Sequence, residues 1–253
     1  METGVRRRVL RHEVLLVLGV SLGASAVYSI VTIIARLTAA RPLSEQTATL
    51  NSPKAPGRPW LDLTLQLLGI LFAVVPALLA VHLLRRDPGE PRPELGLDGR
   101  RPVFDLASGA GLAALIGIPG LGLYAVARAL NLNATVAPAN LPDVWWAVPV
   151  LVLAAVQNAV LEEVVVVGYL MTRLRQLGHT LPAVIAASAI LRGSYHLYQG
   201  IGAFVGNAVM GVVFGLFFLR TKRVMPLVVA HALLDIVAFV GYALLKDHLP
   251  AWL

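Results

Sequence analysis

Long apolar stretches, separated by short polar connections, run along almost the whole chain. Seven of them are long enough to form helices that cross a bilayer, which takes about 20 predominantly apolar residues each. They cover residues 14–35, 63–84, 106–127, 145–171, 181–197, 201–219 and 224–245. The pattern predicts an all-α, polytopic helical membrane protein with about seven transmembrane helices.

The composition supports a membrane protein and argues against nucleic-acid binding. Of the 253 residues, 57% are hydrophobic and 14% are charged, and the mean hydropathy is +0.75. Soluble domains are nearer 45–50% apolar and about 25% charged. The net charge of +7 is typical of the basic cytoplasmic loops of membrane proteins, so the lipid bilayer is the expected partner. Because the chain has no cysteine, disulfides and thiolate metal sites are excluded.

The basic residues also predict an orientation. Four arginines precede the first apolar stretch, which is too long for the apolar core of a cleaved signal peptide. A cytoplasmic N-terminus places most Lys and Arg residues on the cytoplasmic side, as the positive-inside rule requires. We expect an integral protein of a bacterial plasma membrane, with its N-terminus in the cytoplasm and its C-terminus outside.

A basic, proline-rich segment after residue 84 marks the expected domain boundary. It begins with Arg85-Arg86 and continues through Pro88, Pro91 and Pro93. The sequence therefore predicts an N-terminal two-helix membrane segment with its linker over residues 1–93. Residues 94–253 are predicted to form the functional core.

Six ionisable side chains remain deep inside the predicted spans. They are Glu162, Glu163, Arg192, His196, His231 and Asp235. A charge at membrane depth costs at least a few kcal/mol, so such residues usually face a polar interior and have a function. Arg192 with His196, and His231 with Asp235, are i,i+4 pairs that share one helix face. The set therefore predicts one polar cavity inside the membrane.

Three kinds of chemistry use two carboxylates and two histidines in a membrane. A carboxylate can activate water for hydrolysis, with histidines assisting and donors stabilising the oxyanion. Two histidines and a glutamate with an open position are a hydrolytic zinc pattern. Buried acids and imidazoles also form proton or ion pathways.

The order of these residues resembles a known family. Glu162-Glu163 is followed by Gly168-Tyr169-Leu170, His196 lies in the next apolar stretch, and His231 and Asp235 lie in the last. This arrangement is similar to the CPBP group, the CAAX-prenyl-protease and bacteriocin-processing (Abi) intramembrane proteases. The resemblance covers residues 94–245 and leaves the first two spans outside it.

The resemblance implies roles for individual residues. Its candidate catalytic set is Glu162, Glu163, His196, His231 and Asp235. Glu162 would activate the hydrolytic water and His196 would hold it, while Glu163 would be structural. His231 and Asp235 would lie at oxyanion-stabilising or metal-facing positions. A metalloprotease reading makes Glu162, His196 and His231 the zinc ligands; otherwise no cofactor is expected.

Three positions depart from the family pattern. Val167 stands where the family usually has an arginine, and Arg192 stands where it usually has a phenylalanine. We hypothesise that the cation has moved and that Arg192 forms a structural ion pair with Glu163. Asp235 stands where better-studied members have asparagine. Because an ionised aspartate would repel an oxyanion, Asp235 must be protonated, orient His231 or face a metal.

These observations predict an intramembrane endopeptidase that cleaves a peptide or membrane-protein substrate near the cytoplasmic side of the membrane. The alternative is a catalytically altered or inactive membrane scaffold or partner protein of the same fold. An ion or proton transporter ranks last, because the inverted repeats of many transporters are not evident.

Overall fold

The computed structural model of the protein describes residues 2–86 and 95–248, and this part is almost entirely helical. The α-helices are α1 (Glu2–Gly19), α2 (Leu22–Leu37), α3 (Pro59–Ala73), α4 (Val75–Arg85), α5 (Pro102–Ala129), α6 (Ala147–Glu162), α7 (Leu170–Gln176), α8 (Leu181–Ser194), α9 (Ile201–Thr221) and α10 (Met225–Leu245). A π-helix, Glu163–Tyr169, joins α6 to α7. Two short strands, β1 (Thr47–Asn51) and β2 (Thr135–Ala139), and three 3₁₀ turns, Leu43–Glu45, Leu197–Gln199 and Lys246–His248, are the other described elements. The predicted all-α polytopic class is confirmed.

Fewer helices than expected are long enough to span a membrane. Five helical runs within residues 2–86 and 95–248 pass by length and composition. They are Pro59–Arg85, Pro102–Ala129, Ala147–Gln176, Ile201–Thr221 and Met225–Leu245. The first predicted span adds a sixth if its two bent halves count as one. The fifth predicted span, 181–197, is the shorter helix α8, so a seventh full-length span is not found there.

The first predicted span, 14–35, is not one straight helix. α1 and α2 meet at a bend of 55° between Gly19 and Leu22. The Ser21 hydroxyl donates to the Val17 carbonyl at 2.6 Å, which is one recognised cause of helix bending. A Cβ atom at Gly23 would lie 2.7 Å from the Leu18 carbonyl oxygen, so the bend requires a glycine at this position.

Helix α8 is short because the chain leaves the helical path before the predicted end at residue 197. Its 14 residues span about 21 Å at 1.5 Å per residue, less than the roughly 30 Å hydrocarbon core. A 3₁₀ turn, Leu197–Gln199, follows and leads directly into α9. Residues Tyr195 and His196 therefore lie at a helix end within the protein.

One hydrophobic cluster surrounds the π-helix and draws on both halves of the chain. Valines 164–167 are each at most 1% exposed. Side chains from α1, α2 and α4 pack in the same cluster as side chains from α9 and α10. The predicted domain boundary at residues 93 and 94, with Pro88, Pro91 and Pro93, lies outside the described residues. The division into two domains therefore stays a prediction.

A small parallel sheet covers one end of the bundle. β1 pairs with β2 in the register Thr47↔Thr135 to Asn51↔Ala139. Ala139 of β2 packs with Leu151 and Ala155 of α6 and with Phe239 of α10. The sheet therefore covers α6 and α10 about one turn beyond Asn158 and Asp235.

An ion-pair network anchors the start of α10, the helix that carries His231. Arg223 Nε and Nη2 donate to the two carboxylate oxygens of Asp105, each at 2.7 Å. Arg223 Nη2 also donates to Asp98 Oδ1 at 2.8 Å. Hydrogen bonds from Arg223 and from the Arg100 backbone lower the pKa of Asp98. Because this pKa is lower in the folded state, its contribution to stability is present above the ordinary value of 3.8 and is lost as the pH falls.

Replacing Arg223 with Gln is expected to lower the free energy of unfolding by about 3–5 kcal/mol, the usual cost of leaving a buried charge without its partner. The buried partner is Asp105, whose side chain is 3% exposed. Thermal unfolding of the purified protein measures the effect. The control is Arg220→Gln, an exposed position one turn earlier at the end of α9. Equal melting temperatures for the two variants would contradict the prediction.

Candidate functional site

The two adjacent glutamates lie where the helical path widens. Glu162 ends α6, and Glu163 begins the π-helix that continues to Tyr169. Four consecutive valines follow, and such β-branched side chains crowd an α-helical backbone. Single π-helical turns inside α-helices are frequent at functional sites. The turn is enclosed by protein, since all seven of its residues are buried.

Glu163 is held by a cation and an imidazole. Arg192 Nη2 donates to both carboxylate oxygens of Glu163, each at 2.7 Å. His231 Nδ1 lies 2.7 Å from Glu163 Oε1. Glu163 and Arg192 are each 0% exposed. The structure therefore places Arg192 against Glu163, and the carboxylate is fully engaged in a dry environment.

Glu162 has a different environment from its neighbour. Tyr195 donates its hydroxyl to Glu162 Oε2 at 2.7 Å, and Arg192 Nη1 lies 3.4 Å from the same oxygen. His231 Nε2 lies 4.0 Å from it. Glu162 is 9% exposed, and no donor from the described residues contacts its Oε1 atom. One oxygen is bonded to protein and the other remains available.

The last helix brings His231 and Asp235 to the same place. His231 Nε2 lies 3.7 Å from Asp235 Oδ1. The side-chain amide of Asn158, one turn before Glu162, donates to Asp235 Oδ2 at 3.3 Å. Because ionised Glu163 can only accept, the bond between them places a proton on Nδ1 of His231. The other ring nitrogen, Nε2, then faces Glu162 and Asp235.

His196 reaches the site from the end of α8. Its Nδ1 atom lies 3.0 Å from the Arg192 carbonyl oxygen, one of the carbonyls left unpaired where the helix ends. A carbonyl can only accept, so Nδ1 carries the proton and Nε2 has the lone pair in the neutral ring. Its ring centroid lies 4.7 Å from that of Tyr195.

Close packing of α8 and α9 positions this set of residues. A Cβ atom at Gly193 would lie 2.8 Å from the Phe204 carbonyl oxygen, and one at Gly211 would lie 2.8 Å from Ala189 Cα. The absence of side chains lets the two helices approach, as small residues do in membrane bundles. Phe214 of α9 then lies beneath the Arg192 guanidinium, 5.5 Å from it.

The segment that carries this geometry also matches a known family. Residues 144–237, a little over a third of the chain, match the family model Rce1-like, described as "Type II CAAX prenyl endopeptidase Rce1-like". This segment is similar to that family. The match supports the assignment of the chain to the CPBP family.

The matched segment contains every site residue considered above, while α1 to α5 lie outside it. The family match also supports protease activity at a general level. No curated protein and no solved structure matches the chain.

The zinc ligands expected from the sequence were Glu162, His196 and His231. The structure brings together a different group of possible metal ligands. Ligand atoms of Glu162, Glu163 and His231 lie within 4.8 Å of one another, and among the described residues His196 is not in this group. The 2.7 Å between His231 Nδ1 and Glu163 Oε1 is a hydrogen-bond distance. It is shorter than the roughly 3.3 Å between two ligands held about 2.0 Å from a tetrahedral zinc ion.

Charge also argues against a dication in this group. Arg192 already lies within hydrogen-bonding distance of both glutamates, and its guanidinium would repel a second cation at the same oxygens. The short contact and the guanidinium therefore favour a hydrogen-bonded ion-pair cluster over a zinc site at these residues.

Tyr195 is the site residue that sequence reasoning missed. It is 6% exposed and bonded to Glu162. Two signals could have found it: it is adjacent to His196 and three residues after Arg192, on nearly the same helix face. Asn158, one turn before Glu162, contacts Asp235.

Proposed function

We propose that the protein is an intramembrane endopeptidase in which Glu162 activates a water molecule to hydrolyse a peptide bond. The difference between the two adjacent glutamates supports this assignment. Glu163 is completely buried and fully engaged by Arg192 and His231. Glu162 is 9% exposed, and no donor from the described residues contacts its Oε1 atom. A general base needs an oxygen that water can reach.

The proposed reaction uses two acceptor atoms that have no hydrogen-bond donor among the described residues, Glu162 Oε1 and His196 Nε2. Glu162 Oε1 accepts a proton from water while the water oxygen attacks the substrate carbonyl carbon. The lone pair on His196 Nε2 accepts the second hydrogen bond of that water and orients it. When the tetrahedral intermediate breaks, Glu162 returns the proton to the leaving amide nitrogen as the C–N bond opens.

His231 and Asp235 are assigned to the side of the substrate oxygen. Glu163 holds the ring of His231 through Nδ1, and in this proposal Nε2 also carries a proton, which it donates as a hydrogen bond to the developing oxyanion. Asp235 lies beside Nε2 and is itself held by Asn158. In this proposal Asp235 orients His231 rather than contacting the oxyanion, which removes the conflict between two negative charges.

The reaction is placed near the cytoplasmic side. With the N-terminus in the cytoplasm, Arg173 marks the cytoplasmic end of the helical run that carries Glu162. At 1.5 Å per residue, Glu162 lies about 15 Å from Arg173 and His231 about 10 Å from the start of its helix. Both depths lie within the cytoplasmic half of a hydrocarbon core about 30 Å thick.

Cleavage by the reconstituted chain tests the proposal. Purified full-length protein in liposomes is incubated with transmembrane peptides with and without a prenyl group, since the matching family is described as CAAX prenyl endopeptidases. Cleavage by the wild type is expected, with loss in Glu162→Ala and His196→Ala. Wild-type rates in both variants would overturn it. A cellular phenotype retained by both, with no cleavage of any peptide, would favour a non-catalytic membrane partner.

Metal removal is expected to leave the cleavage rate unchanged, because the proposed mechanism uses only protein groups and water. The measurement compares rates before and after treatment with phenanthroline and dialysis. Adding zinc back to the treated protein serves as the control and should not raise the rate. Loss of activity that zinc restores would contradict the prediction and favour a metalloprotease.

A further inference from the structure

We infer that Tyr195 is a positioning residue that fixes the orientation of the Glu162 carboxylate; this inference rests on the proposed function. Its hydroxyl donates to Glu162 Oε2 at 2.7 Å. The phenol is 6% exposed, and its bond partner is a carboxylate, which makes the hydrogen bond charge-assisted and strong. Of the two carboxylate oxygens, Tyr195 occupies the one that should not react.

A carboxylate without such a donor has no fixed orientation. The terminal torsion of a glutamate is broad and roughly two-fold, so its two oxygens exchange places easily. Tyr195 removes this freedom by binding Oε2. Oε1 then remains the oxygen available to a water molecule, and its position and the direction of its lone pairs are fixed.

The same bond also keeps Glu162 apart from the nearby guanidinium. Arg192 Nη1 lies 3.4 Å from Glu162 Oε2, whereas Arg192 Nη2 lies 2.7 Å from both oxygens of Glu163. Without the phenol, Glu162 would move toward Arg192 and form a tighter ion pair. A general base engaged in this way is less able to accept a proton. Tyr195 therefore lets Arg192 bind Glu163 tightly while its contact with Glu162 stays long.

The end of α8 accounts for the position of the phenol. α8 ends at Ser194, and Tyr195 follows in a turn that leads to Leu197–Gln199. The spacings 192/195 and 192/196 put the three side chains on nearly one face of this segment. Arg192, Tyr195 and His196 therefore all contribute to the same site from one short stretch of chain.

A second tyrosine provides a matched control. Tyr169 also donates its hydroxyl to a glutamate, Glu13 Oε1, at 2.9 Å. That bond joins the π-helix to α1 and involves neither Glu162 nor Glu163. Tyr169→Phe removes the same kind of bond as Tyr195→Phe and leaves the site intact.

The test compares kcat and KM for cleavage of the same peptide by four proteins: wild type, Tyr195→Phe, Tyr169→Phe and Glu162→Gln. Tyr195→Phe should lower kcat about tenfold to a hundredfold with KM unchanged, as expected for a misplaced catalytic group. Tyr169→Phe should keep the wild-type kcat. An unchanged kcat for Tyr195→Phe, or a change in KM alone, would overturn the inference.

The remaining outcomes separate this inference from the proposed function. Wild-type cleavage by Glu162→Gln would overturn the proposed function itself. An inactive Glu162→Gln with a fully active Tyr195→Phe would overturn only the role of Tyr195. A readout independent of cleavage is labelling of Glu162 by dicyclohexylcarbodiimide, followed by mass spectrometry. Labelling should be slower in Tyr195→Phe than in Tyr169→Phe, because a tighter ion pair with Arg192 keeps the Glu162 carboxylate ionised, and equal rates would contradict the inference.

Discussion

Replacing Glu162 with Gln is expected to lower kcat for peptide cleavage by at least about a thousandfold, within the range that general-base catalysis contributes. The amide keeps the size of the side chain and can still accept the Tyr195 hydroxyl through its carbonyl oxygen. It cannot take a proton from water at neutral pH. The fold should remain intact, so the melting temperature should stay close to that of the wild type.

Glu163→Gln is the matched comparison, one residue away and of the same chemistry. Glu163 binds Arg192 and His231 inside the protein, so its replacement should reduce stability more than Glu162→Gln does. Measuring kcat and melting temperature for both variants separates the two roles. If Glu163→Gln lost kcat at unchanged stability while Glu162→Gln kept kcat, the assignment of the base would be reversed.

Replacing Arg192 with Met is expected to unfold or inactivate the protein. The Arg192 guanidinium contacts both glutamates, and Glu163 is completely buried. Removing one partner of a buried ion pair typically costs 3–5 kcal/mol, because an uncompensated charge remains. The yield of monodisperse protein and its melting temperature measure the loss.

Adding Glu163→Gln to Arg192→Met should partly restore stability, because the carboxylate left unpaired is then neutral. The second double variant, Arg192→Met with Glu162→Gln, is the control and should restore less. Its basis is the difference in contact distance, 3.4 Å for Glu162 and 2.7 Å for Glu163. No rescue by Glu163→Gln would rule out the structural pairing of Arg192 with Glu163.

Several features of the fold could be predicted from the apolar pattern. The span predicted for residues 63–84 appears as Pro59–Arg85, and the one predicted for 201–219 appears as Ile201–Thr221. Both runs are long and apolar, although the first is divided into α3 and α4, so hydropathy is a sufficient signal for them. The bend between α1 and α2 was not predictable in this way, because it depends on the contact between Gly23 and the Leu18 carbonyl.

The candidate site also has features that the sequence pattern predicts and features that depend on tertiary packing. The i,i+4 spacing of His231 and Asp235 predicts a shared helix face, and the structure places their side chains 3.7 Å apart. The spacing does not show that Tyr195 contacts Glu162, because that contact joins two separate helices and depends on how they pack. Nor does it show which glutamate keeps a free oxygen.

By itself, the sequence determined that costly ionisable side chains lie inside apolar spans and on particular helix faces, because these properties follow from local composition and helical period. Only the tertiary structure decided how the charges are divided between neighbours. Arg192 and His231 engage Glu163, while Tyr195 binds one oxygen of Glu162. The reason is physical: each of these contacts joins residues at least 29 positions apart in the chain, and their geometry depends on how separate helices pack.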